Sequence, residues 1–157
     1  MDQIAILALI VGILALLFAG LLAARVVGSD AGTDTMRAIA DAISEGATAF
    51  LTREYRVLAV FAVVVAIVLG LAVGPATAVS FLAGAACSAV TGFAGMWIAV
   101  RANVRTAAAA TVGLNRGLRV AFSSGAVMGS AVVGLGLAGL VVIYLLFRDP
   151  STIAGRK

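Results

Sequence analysis

The chain has 157 residues, of which 63% are hydrophobic and 11% charged, and its mean hydropathy is +1.18. That is far more apolar surface than a water-soluble core of this size would use, so the composition excludes a soluble globular domain and defines an integral membrane protein. The net charge of +4 does not indicate nucleic-acid binding, because the basic residues are scattered between apolar runs, as in the cytoplasmic loops of membrane proteins.

The first apolar run, residues 4–24, follows Met1-Asp2-Gln3 and meets its first base only at Arg25. A secretory signal would open with positive charge, so this run reads as a retained span. Residues 25–56 form a first cytoplasmic connection that contains an amphipathic helix. At 100° per residue, Asp34, Arg37, Asp41, Glu45, Thr48, Thr52 and Arg56 fall within about a 100° stripe, with Met36, Ile39, Ile43, Phe50, Val57 and Phe61 opposite. Thr33 or Asp34 is placed to cap its start, where an acid also suits the helix dipole. The helix either continues into the second span or meets it at a gentle bend.

Residues 57–100 carry no charge. As one helix they would measure about 66 Å, more than twice the ~30 Å hydrocarbon core, so the chain must reverse, and Gly74-Pro75 marks the reversal. The second and third spans are thus 57–73 and 78–100. A second connection covers 101–119, and a fourth span covers 120–147. The expected fold is all-α and polytopic, a single membrane unit over residues 1–157 with four transmembrane helices and the amphipathic helix leading into the second. Arg25, Arg37, Arg53, Arg56, Arg101, Arg105, Arg116 and Arg119 fall on one side, against Arg148, Arg156 and Lys157 on the other. This bias puts the two connections in the cytoplasm and the N-terminus outside.

Candidate structural residues cluster in two places. Glu54 departs from the polar stripe and lies on the apolar side with Ile43 and Phe50, while Arg53 sits on the flank. One reading pairs Glu54 with Arg101 or Arg105, which are one helical turn apart; the other lets the charges snorkel to headgroups at a helix end. Gly84, Ser88 and Gly92 in the third span, and Ala121, Gly125 and Gly129 in the fourth, recur every four residues. Such small-residue ridges allow close helix packing in lipid.

Chemistry-bearing constellations are sparse. There is no His, and the single cysteine, Cys87, reads as a packing residue. None of the four expected spans holds an Asp, Glu, Lys or Arg, whereas an ion pathway needs an ionisable group inside the low-dielectric region. No phosphate-binding loop, magnesium-spaced carboxylate run or nucleophilic triad is present. No catalytic, cofactor-binding or metal-ligating residue is therefore assigned.

Three stretches nevertheless carry a specific likeness. GTDTMRAIADAISEGATAFLTREY from Gly32, GFAGMWIAVRANVRTAAAA from Gly92 and GLRVAFSSGAVMGSAVVGLGLAGL from Gly117 resemble, in order, the N-terminal portion of the membrane-bound ion-translocating inorganic pyrophosphatases. The resemblance implies a homodimeric pump of about sixteen helices per subunit in a bacterial or archaeal cell membrane. Such a pump hydrolyses pyrophosphate with Mg2+ and moves protons, or sodium in some members. It also implies that these four helices belong to the outer ring. The partners are then the remainder of the subunit and membrane lipid, and Mg2+ is bound by residues outside this chain, which alone is expected to be inactive. The alternatives are a free-standing four-helix scaffold that binds a membrane partner and, weakened by the lack of an intramembrane carboxylate, a small multidrug-type transporter.

Overall fold

The computed structural model describes residues 2–147. They form four helices: α1 (Asp2–Val27), α2 (Asp34–Ala72), α3 (Pro75–Val112) and α4 (Leu114–Phe147). Each is long and apolar enough to cross a membrane, and no strand occurs among the described residues.

α2 is one unbroken helix of 39 residues, about 58 Å long and nearly twice the thickness of a hydrocarbon core. The amphipathic segment therefore runs into the second span without a separate bend element. Continuity is possible because the polar stripe satisfies itself. The hydroxyls of Thr48 and Thr52 donate to the carbonyls of Ser44 and Thr48, each at 2.8 Å, so neither hydroxyl needs water as the helix turns apolar. At its start the Thr33 hydroxyl accepts from the Met36 N–H at 3.3 Å, so Thr33 is the cap and Asp34 the first-turn acid.

The reversal after α2 falls at the expected dipeptide. Gly74 has φ 146°, a region that side chains disfavour, and Pro75 opens α3, where a missing N–H costs nothing. The expected connection 101–119 is helical apart from Gly113. Residues 101–112 are rich in Ala and Arg, the strongest helix formers, so α3 continues far past its apolar run. A chain reversal this tight needs a small residue across from it. Gly117 is buried, and a Cβ there would lie 3.0 Å from Ala110 Cβ.

α3 packs on α2 at one side and on α4 at the other; α4 packs on α1, which touches α3 lightly. The core joins Ala19 and Val26 of α1, Ile98 and Ala102 of α3, and Val127 and Ala131 of α4. It contains no α2 residue. Most large apolar side chains face outward, from Leu7 to Leu140, as expected where the surroundings are lipid or further apolar helices.

Candidate functional site

The connector end of the bundle, where 28–33 and Gly113 lie, is organised by Arg105. Its Nε donates to the Val27 carbonyl at 3.0 Å and the Ser29 carbonyl at 3.1 Å. Its Nη1 donates to the Arg101 carbonyl at 2.7 Å. A helix leaves its last carbonyls without partners, and here a guanidinium from α3 satisfies those at the end of α1. Val26, immediately before them, is 2% exposed, so the clamp and the core reinforce each other. Arg101 lies one turn back with its guanidinium 4.0 Å from the centroid of the Trp97 ring, and its Nη1 donates to the Trp97 carbonyl at 3.3 Å.

The expected pairing of Glu54 with Arg101 or Arg105 is not made. Helix register is the reason. Tyr55 Oη donates to the Ala89 carbonyl at 2.9 Å, which sets Glu54 level with the residues just after Ala89 on antiparallel α3. Arg101 is then roughly 15 Å further along the axis, and Arg105 further still. Glu54 and Arg53 are exposed and border a shallow depression with Phe50, Val57 and Leu58. Among the described residues the one ion pair is Arg37 with Asp34 at 3.8 Å, on exposed side chains where such a pair contributes little.

The two small-residue ridges do not form a seam with each other. Gly84, Ser88 and Gly92 line one wall of an open groove of about 490 Å³ between α3 and α4, with Val132, Gly136 and Gly139 on the other. A Cβ on Gly84, Gly125 or Gly129 would meet nothing within 4 Å, whereas one on Gly92 would lie 2.9 Å from Tyr55 Oη. The close approaches fall elsewhere. A Cβ on Gly12 would lie 3.0 Å from the Gly134 carbonyl across α1 and α4, and one on Gly95 would meet Met128 at 3.0 Å. Four-residue spacing finds ridges but not the direction they face. Tyr55, Trp97, Gly12 and Gly134 were missed by the sequence reading. A lone hydroxyl-bearing ring at the edge of an apolar run was the available signal for Tyr55.

No three His, Cys, Asp or Glu side chains come together among the described residues. Asp34, Asp41 and Glu45 are strung along an exposed helix face over more than about 10 Å. These residues do not fit a magnesium site, which needs oxygens converging at about 2 Å from one ion.

What the geometry defines is a polytopic helical membrane unit with a braced connector end and outward-facing grooves, without a ligand-holding constellation among the described residues. The family described as Inorganic H+ pyrophosphatase matches residues 13–156. A K(+)-insensitive pyrophosphate-energized proton pump of Methanosarcina mazei is 42% identical over 157 residues, covering 99% of this chain and 23% of the relative. A second such pump, of Moorella thermoacetica, is 47% identical over 152 residues, covering 92% of this chain and 22% of the relative. A putative K(+)-stimulated pyrophosphate-energized sodium pump of Clostridium tetani is 42% identical over 147 residues, covering 94% of this chain and 22% of the relative. The chain belongs to the inorganic H+ pyrophosphatase family, and it spans between a fifth and a quarter of the length of these relatives.

Proposed function

We propose that the chain supplies an N-terminal, outer-ring four-helix segment of a pyrophosphate-energised ion pump, acting as scaffold while the rest of the subunit hydrolyses pyrophosphate with Mg2+ and moves the ion. The carrying observation is similarity over 99% of the chain to a proton pump more than four times its length. The charge placement supports it: the described Asp, Glu, Lys and Arg side chains beyond Asp2 lie between Arg25 and Arg56 or between Arg101 and Arg119, leaving the apolar lengths between them free of carboxylates and bases. By the same bias the connector end is cytoplasmic and the N-terminus external. Homodimerisation and lipid contact belong to this reading of the complete pump.

Purified 157-residue protein in lipid vesicles, given Mg2+ and pyrophosphate, is expected to release no orthophosphate and to build no proton or sodium gradient. Joined to the remainder of a subunit it is expected to support both. Hydrolysis by the isolated chain would place the chemistry in these helices and sink the scaffold assignment.

A further inference from the structure

Glu54 lies in an exposed apolar stripe on α2 with Ile43, Phe50, Val57, Leu58 and Phe61; Val57 is 65% and Phe61 63% exposed. The residues one turn before and after it, Phe50, Leu51, Val57 and Leu58, are apolar, so α2 offers no cation at the spacings that meet on a helix surface. The arginines of α3 are engaged elsewhere, one on carbonyls of 27, 29 and 101 and the other on the Trp97 ring. Among the described residues Glu54 forms no ion pair. The charge-free run 57–73 extends only about 26 Å, short of the ~30 Å hydrocarbon core, and Glu54 lies within one turn of its start. There an exposed carboxylate lies among apolar side chains and pairs with no cation among the described residues.

We propose that this stripe is a docking face for a further apolar helix that carries a lysine or arginine, whose cation meets Glu54 while its apolar residues cover Phe50, Val57 and Phe61. Charge complementarity selects this occupant. Lipid would cover the stripe with acyl chains and offer Glu54 only a mobile headgroup cation, an occupant that adducts to lipid would reveal. A second copy of this chain packed through the same face about a two-fold axis would bring Glu54 toward Glu54, a like-charge contact that opposes association. The inference goes beyond the pump assignment and does not need it, since the recognising chemistry is a basic residue on an apolar helix, whatever protein supplies it.

The test is photo-cross-linking in the native membrane with p-benzoylphenylalanine in place of Phe50 or Phe61, followed by mass spectrometry of the adducts. The expected adduct is an apolar helical segment with a Lys or Arg within one turn of the linked position. Its yield should fall about tenfold in E54Q, equivalent to losing one strong charge-assisted contact, and be kept in E54D. Circular dichroism checks that both variants remain helical. Adducts to lipid only, to the same face of a second copy, or to a segment without a cation overturn the proposal, as does a yield that E54Q leaves unchanged. A cation-bearing segment from a protein other than a pyrophosphatase would sustain the docking face and remove the pump assignment.

Discussion

At the scale of single residues, Arg105 and Tyr55 hold together elements far apart in sequence. Arg105 satisfies carbonyls at the end of α1 that would otherwise be left without donors. Replacing it with alanine is expected to destabilise the connector end by about 1–3 kcal/mol, the cost of leaving partly buried acceptors unpaired. Faster amide exchange confined to residues 26–32 would report the loss, and unchanged protection there would refute the clamp. Gly92 and Tyr55 form a coupled pair: a Cβ at 92 would lie 2.9 Å from the phenol oxygen, so G92A displaces the hydroxyl that bonds Ala89. G92A and Y55F should therefore be non-additive, and a double-mutant cycle that sums without a coupling energy of at least about 0.5 kcal/mol would separate them. The guanidinium of Arg101 over Trp97 was not foreseen because the sequence suggests an acid as its partner. An aromatic face one turn back serves instead.

At the scale of elements, the helices overrun the apolar runs that announce them. Residues 101–112 join α3 because Ala and Arg favour helix wherever nothing forbids it, so the polar boundary of a span is not the end of its helix. Among the described residues the helices break only where the backbone is made to, at residues 28–33, at Val73-Gly74 and at Gly113. Of these, the 28–33 break holds Gly32 at φ 75° and the second holds Gly74 at φ 146°, both in a region that side chains disfavour. G74A is expected to cost about 1–3 kcal/mol through strain at that conformation, readable as a lower detergent-melting temperature. At Gly113 φ is 162°, extended backbone open to any residue, and G113A should cost far less. Equal losses at the two sites would show that the reversals depend on something other than backbone conformation.

At the scale of the whole molecule, the bundle is asymmetric. α1, α3 and α4 share a core, while α2 is held through Tyr55 and Ala66 along one side of α3. The α1–α4 contact relies on two glycines facing each other. G134L should separate these helices, since even a Cβ there would come within 2.6 Å of Leu16, and a cysteine pair placed across α1 and α4 should lose its disulfide yield. G125L and G129L point into open space in this chain and should leave that yield intact. The Gly125–Gly129 ridge, read from the sequence as a surface for close helix packing, thus faces away from the other three helices. If G125L abolishes α1–α4 cross-linking while G134L spares it, α1 and α4 do not meet through Gly12 and Gly134.

Hydropathy determined that the described residues form four helices long and apolar enough to cross a membrane, because the cost of unbonded backbone in lipid admits few other forms for apolar runs of this length. The Gly74-Pro75 reversal and the Thr33 cap were legible for a similar reason, since each depends on the local chemistry of one or two residues. Partner choice was not legible. Whether Glu54 meets Arg101, and which glycines touch, depends on axial register and rotation between helices, which arise from side-chain interlocking summed over whole faces. A periodic pattern repeats at every register and so names none. Only the tertiary structure, by seating Tyr55 on Ala89 and Gly12 on Gly134, decided which residues are neighbours and which remain facing outward.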